Sequence, residues 1–300
     1  MKVLKIKSKR VNFQSDDLTI KATLTTPKTS VDDSVVVIML QGSGPVNRDS
    51  KIGPNKPFKC LAESFALNGI SSFRFDKRTL THKKEILKLK TITLDEEYII
   101  DAFSAIEYLK SNYHFSKYFV FGHSLGAWVA PFIAKSKSLD GIILSCAPAR
   151  HVLDIIYDQN LNKLKELNLK KYEYMTQLGE LKELADKIYK KAYRNNETVL
   201  GLSASYWYSI TDKNPLNLFK KLKIPTLIIN CLNDCQVFKK DFDIWQKLKI
   251  SNKNIELKNF ENTNHLMSIY SNKSTGREYT KKLKFNSDIS DYVSKWIINV

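Results

Sequence analysis

The segment Gly122-His123-Ser124-Leu125-Gly126 lies between one apolar run, Tyr118–Phe121, and another that begins at Leu125 (LGAWVAPFIA). Glycines on both sides of a serine let the backbone turn sharply where a strand hands over to a helix. Such a turn exposes the hydroxyl at the edge of the sheet. With a base beside it, Ser124 is a nucleophile; without one, it is a plain turn residue. The turn also aims the N–H of Leu125 at the place where a tetrahedral oxyanion would form. A second donor belongs on the loop after the third strand, where the chain reads Gln41-Gly42-Ser43-Gly44-Pro45. The Ser43 N–H is the candidate, set against the reading of a glycine-rich loop with no catalytic duty.

A serine nucleophile needs a base, and the base needs an orienting carboxylate, in the chain order Ser, Asp, His for this architecture. Five histidines compete. His82 and His114 precede the elbow, His123 is inside it and is expected to point the wrong way, and His151 opens a different region. His265, in Asn262–Leu266, follows the strand-like NIELKNF and precedes the final helix. Asp234 stands at the end of the run Pro225–Asn230, where loops collect catalytic groups; its rival reading is a helix N-cap. Asp241 and Asp243 fall in the next helical pattern and are expected to be solvated. The chemistry is then acyl transfer. His265 takes the Ser124 proton, the alkoxide attacks a carbonyl, the Ser43 and Leu125 amides hold the oxyanion, and Asp234 fixes the imidazole tautomer.

The elements that must position these groups follow from periodicity. Ser34–Leu40 (SVVVIML) is a continuous β-branched run, the mark of a strand buried on both faces. Gly69–Phe75, Tyr118–Phe121, Gly141–Cys146 and Pro225–Asn230 read as its partners, while segments around Val3–Ile6 and Leu18–Leu24 alternate as antiparallel edge strands do. Thr93-Leu94-Asp95-Glu96 is a capping box. Behind it Ile99, Ala102, Phe103, Ile106 and Leu109 recur at helical spacing; Phe58–Leu67 and Tyr292–Ile298 also read as helices. The alternation of strands and helices predicts an α/β fold with a mostly parallel sheet in one domain, residues 1–300. From His151 to about Asp212 the pattern is helical, with Leu178, Leu181, Ala185 and Ile188 on one stripe. This predicts a helical cap inserted over the sheet, at about 151–212, where Tyr206, Trp207 and Tyr208 either line a pocket or pack the cap down.

The net charge of +17 invites a nucleic-acid reading. Only seven of the 48 basic residues are arginines, however, and the lysines are scattered rather than blocked. A solvated lysine-rich surface is the better account, and no nucleic acid is expected as a partner. The N-terminus lacks the apolar core of a signal peptide, and no apolar run is long enough to span a membrane. Cys60, Cys146, Cys231 and Cys235 fit neither a zinc nor a redox spacing and read as free thiols. The expected compartment is the cytoplasm, with no membrane attachment.

The motifs GSGPVNRD, FRFDKR, GHSLGA and NHLM, with Tyr206-Trp207 and Thr275–Tyr279, occur in collinear order across roughly residues 15–298. In these the chain resembles the bacterial α/β-hydrolase serine esterases, a carboxylesterase family with a G-S-G-P-x-D-R-D oxyanion loop. The resemblance implies the α/β-hydrolase fold, a Ser124–Asp234–His265 triad, hydrolysis of short acyl esters, and no metal or cofactor. Thioesters, small peptides, or a non-catalytic anion-binding role on the same scaffold are the alternatives. Asn47 replaces the first aspartate of the family loop, which removes any ion pair made there with Arg48. Thr79-Leu80-Thr81-His82 replaces the glycine-rich turn after Asp76-Lys77-Arg78 with bulkier residues that reshape the pocket rim.

Overall fold

The computed structural model describes residues 6–28, 35–89, 91–167 and 170–300. Its centre is an eight-stranded sheet of β1 (Ile6–Ser15), β2 (Leu18–Pro27), β3 (Val35–Leu40), β4 (Ser71–Phe75), β5 (Lys117–His123), β6 (Gly141–Ser145), β7 (Thr226–Cys231) and β8 (Ile255–Phe260). The spatial order is β1-β2-β4-β3-β5-β6-β7-β8. β2 runs antiparallel to both its neighbours, and every pairing from β4 to β8 is parallel. This is the α/β-hydrolase order, as expected. Of the expected first strand around Val3–Ile6, Ile6 is among the described residues and pairs in β1, which runs on to Ser15; Val3–Lys5, like Ser34, lie outside the described residues.

The continuous apolar runs divide between two cores with the strand period of two. Val36, Ile38 and Leu40 of β3 and Val120 of β5 face one core, shared with the helices Ile100–Asn112 and Leu125–Ser136. Val37, Met39, Phe119 and Phe121 face the other, against the helices Pro57–Leu67 and Ser287–Asn299. The capping box forms: Thr93 N–H and hydroxyl both donate to the Glu96 carboxylate, and Asp95 N–H donates to the Thr93 hydroxyl.

Between β6 and β7 lie the helices Val152–Glu166, Lys171–Tyr189 and Ala204–Asp212, with a two-residue hairpin of Thr198–Val199 and Leu202–Ser203. Leu178, Ala185 and Ile188 are buried here, and Leu181 is partly so. The hairpin is too short to carry a strand signature in the sequence. Among the described residues no helix is long and apolar enough to cross a membrane.

Two ties hold the front of the chain to its end. Asn55 donates to the carbonyls of Tyr279 and Lys281 and accepts from Leu283 N–H. Asn68 donates to Asp291 and Ser294 on the last helix.

Candidate active site

β5 ends at His123, and the next residue takes φ 54°, ψ −121°. A left-handed φ on a residue with a Cβ stores about 1–3 kcal/mol. The buried Phe119, Val120 and Phe121 of the same strand contribute about 1.5–3 kcal/mol each, so the strand holds the corner. The flanking glycines are sterically required. A Cβ on Gly122 would lie 2.4 Å from the Gly126 oxygen, and one on Gly126 would lie 2.4 Å from the Leu40 oxygen. Ser124 N–H donates to Ser145 O at 2.9 Å, tying the corner to β6. Leu125 opens the following helix, so its amide belongs to the first turn, whose N–H groups have no helical acceptor and sit at the positive end of the dipole.

Asp234 lies three residues past β7. Its Oδ1 accepts from the amides of Gln236 (2.7 Å) and Val237 (3.0 Å), and its Oδ2 stands 2.7 Å from His265 Nδ1. The two rival sequence readings therefore merge: one carboxylate oxygen shapes the turn and the other orients the imidazole. The next helix begins only at Lys239, so the cap is of a turn rather than of a helix. His265 is held in a loop that Asn264 braces, accepting from Leu266 and Ser268 amides and donating to Glu278.

His265 and Asp234 are almost wholly buried. Burial alone would lower the imidazole's pKa, but the charge and hydrogen bond of Asp234 overcome it and raise the proton affinity. His123 is placed differently from its expected idle role. Its Nε2 stands 2.7 Å from the carbonyl oxygen of His265, and the two rings are 4.6 Å apart. Burial and the neighbouring His265 push its pKa down to about 3, so a neutral ring donates this bond. The residue beside the serine thus braces the backbone of His265. Position inside the elbow gave no sign of this.

Gly42 closes the arrangement. A Cβ built on it would sit 3.5 Å from His123 Nδ1 and 3.6 Å from Ser124 Oγ, so the loop after β3 runs directly over the serine. No hydrogen bond between the Ser124 hydroxyl and His265 is formed among the described residues; catalytic contacts of this kind tighten when substrate binds. Above these groups opens a cavity of about 620 Å³. Ser43, Ser124 and Leu125 are on its floor side, and Ile155, Trp207 and Ile210 supply apolar wall from the segment between β6 and β7. Tyr206 and Trp207 both line it, but each is anchored: Tyr206 hydroxyl donates to Glu97 at 2.5 Å, and Trp207 Nε1 to Val199 O at 2.7 Å. Thr79 reaches the same cavity from the short helix Arg78–Thr81, as expected of the altered rim.

The remaining candidates fall elsewhere. His82 meets Thr19 O on the surface, and His151 caps the helix Val152–Glu166. Asp241 corrects the expectation of a solvated side chain. It is fully buried, accepting from the amides of Ala149 and Arg150 and from the Arg150 guanidinium. A partner some ninety positions away leaves no trace in helical periodicity. Asp243 is on the surface with Lys239. Arg48 does not want for an ion pair, since Asp76 receives its backbone N–H, Nε and Nη2. Asn47 instead accepts from the amides of Asp49 and Lys51, the turn role an aspartate would also fill. The sequence reading gave no roles to Lys77, Glu97 and Tyr98. Their one visible signal is that Glu97 and Asp101 lie one turn apart beside the apolar stripe.

Residues 56–267 match the family model described as serine aminopeptidase, S33. Esterase EstD of Thermotoga maritima is 34% identical over 290 residues, covering 96% of this chain and 68% of that protein. The chain belongs to this serine hydrolase family. It is an α/β hydrolase of the carboxylesterase type. Solved structures share the fold at lower identity. The Pyrococcus furiosus esterase Pf2001 has a TM-score of 0.59 and 18% identity, over 98% of this chain and 91% of that one. Est1E from Butyrivibrio proteoclasticus has 0.62 and 14%, over 97% and 98%. The acylaminoacyl peptidase of Pyrococcus horikoshii has 0.63 and 13%, over 98% of this chain but 41% of that one.

Proposed function

We propose that the protein hydrolyses uncharged carboxylic esters with short acyl chains through a Ser124–His265–Asp234 triad. His265 removes the Ser124 proton as Oγ attacks the carbonyl. The Ser43 and Leu125 amides hold the oxyanion, and an acyl-enzyme forms with loss of the alcohol, which takes the proton from His265. Water, deprotonated by the same imidazole, then releases the acid. The helical segment at about 151–212 serves as a cap whose side chains select the ester.

The observation that carries this reading is the 2.7 Å contact of Asp234 with a buried His265, whose ring lies 4.6 Å from that of His123, the residue next to the serine of the strained elbow. Ester rather than aminopeptide hydrolysis is favoured by the cavity wall. Among the described residues Glu97 is the one carboxylate lining it, and both its oxygens are taken, by Lys77 and Tyr206. A substrate ammonium would find no free anion. The cytoplasm is the proposed compartment, supported by four free cysteines; the Cys146 thiol donates to the Cys231 sulfur at 3.3 Å and both remain thiols.

The test is a panel of p-nitrophenyl esters of two to twelve acyl carbons, with aminoacyl p-nitroanilides alongside, run on wild type and Ser124→Ala. Turnover should be highest at the short end, and kcat should fall about 10⁴- to 10⁶-fold in the variant. Equal turnover by both proteins removes Ser124 from the reaction, and an optimum beyond eight carbons overturns the chain-length reading.

A further inference from the structure

Lysines crowd the surface of this chain, yet Lys77 is fully buried. A buried ammonium is costly unless it is paired and hydrogen-bonded. Its nitrogen meets the Glu97 carboxylate, lies 3.9 Å above the Tyr98 ring, and donates at 3.1 Å to the carbonyl oxygen of Gly42. That oxygen takes a second bond, from the Tyr98 hydroxyl at 2.7 Å. Glu97 is itself braced from the other side by the Tyr206 hydroxyl. Burial lowers the Lys77 pKa and the Glu97 carboxylate opposes that fall. An ion pair that only glued the helix to the sheet would not need to aim two donors at one backbone carbonyl of a glycine loop.

The geometry of a trans peptide says what those donors do. Carbonyl and N–H of one peptide unit point in opposite directions in one plane. Fixing the oxygen of Gly42 therefore fixes the direction of the Ser43 N–H. The segment Gly42-Ser43-Gly44 has little side chain of its own to set that plane, and flexible glycines would let it turn over. Gly42 lies against Ser124, and Ser43 and Ser124 face the same cavity.

We propose that Lys77 and Tyr98 are positioning residues that clamp the Gly42–Ser43 peptide so that its N–H stays turned toward the oxyanion. The ammonium beside the carbonyl also polarises the amide, making the N–H a stronger donor as charge develops on the substrate oxygen. Glu97 and Tyr206 hold the clamp from the cavity wall. The inference rests on the reading of Ser43 as an oxyanion donor.

The experiment compares Tyr98→Phe, the paired change Lys77→Met with Glu97→Gln, and Ser43→Pro, which deletes the N–H. Each is measured for kcat and KM on p-nitrophenyl acetate, for inhibition by phenylboronic acid as a tetrahedral adduct, and for Tm. Removing a true oxyanion donor costs about 10²- to 10³-fold in kcat. Ser43→Pro should show that loss. Tyr98→Phe, which loosens the donor without deleting it, should lose about 10- to 100-fold in kcat. Its KM should stay within twofold, and boronate affinity should weaken by the same factor as kcat. The paired variant should act likewise; should it fail to fold, Tyr98→Phe decides. If Ser43→Pro collapses while Tyr98→Phe keeps wild-type kcat and boronate affinity, the clamp is refuted and the donor assignment stands. If Ser43→Pro turns over like wild type, the donor assignment falls and the clamp with it. A lowered Tm with unchanged kcat would leave Lys77 and Tyr98 a purely structural pair.

Discussion

Gly126→Ala isolates the spacing between the helix that follows Ser124 and the strand that leads into the proposed oxyanion loop. The added Cβ would lie 2.4 Å from the carbonyl oxygen of Leu40 and 2.6 Å from that of Gln41. Both atoms are backbone, so neither can swing away as a side chain would. Restoring ordinary contact moves the first turn of the helix and the end of β3 apart by about 1 Å, since contacts under 3.4 Å are tight. Ser124 and Leu125 move with one partner, and Gly42 and Ser43 with the other. A misplacement of that size costs about 10²-fold in rate. The accompanying overpacking costs about 1–3 kcal/mol of stability, so the protein should still fold at 25 °C. The assay is steady-state hydrolysis of p-nitrophenyl acetate, with a thermal melt on the same preparation. Gly44→Ala is the control. That residue has φ 84° but open space around its Cβ position, so it carries strain without contact. A wild-type kcat in well-folded Gly126→Ala, or an equal loss in Gly44→Ala, would refute the argument from spacing.

Asp234→Asn should lower kcat about 10⁴-fold. Since Asp234 raises the proton affinity of His265, its loss keeps the imidazole neutral to lower pH, and the acid limb of kcat/KM should move downward in a pH–rate profile. Asp241→Ala leaves the Arg150 guanidinium and two amides without their acceptor. Breaking a buried pair costs about 3–5 kcal/mol, toward the lower figure here because Asp158 still holds Arg150; the urea midpoint should fall accordingly. His151 is pushed down to about 4 by burial. Its unfolded form binds a proton near the ordinary value of about 6.5, above the folded one. Stability should therefore drop as pH falls from about 6.5 toward 4. His151→Asn, which can still cap the helix, should reduce the difference between urea midpoints measured at pH 7 and pH 5, and an unchanged difference would exclude His151 as a contributor.

Where a segment is buried on both faces the sequence is explicit. Val35–Leu40 and Thr226–Cys231 are read within a residue or two because each is a short apolar run rich in β-branched residues, whereas the longer buried run at Leu125–Ser136 is a helix. β1 runs past the expected segment to Ser15, since an edge strand with one solvated face carries lysines and polar residues that blur its far limit. The elbow was visible because its chemistry is local: two glycines, a serine, and apolar runs on either side. Asp241, Glu97 and Lys77 were not, because each has its meaning through a partner on another element. A charged residue on a helical pattern looks solvated until the far side of the contact is known. Asn47 shows the reverse case, an apparent defect in a motif that the fold absorbs in a turn.

Asn55 has a consequence for how the molecule comes into being. Its amide bridges to the backbone of residues 279–283, and Gly53 lies so close to the Tyr279 oxygen that a Cβ there would come within 2.5 Å. On a ribosome the loop after β3 and Asn55 emerge some 224 residues ahead of the strip that receives Asn55. The corner at Ser124 is likewise made well before the tie beside the Gly42–Gly44 loop can form. A nascent chain that stops short of residue 279 therefore lacks this brace.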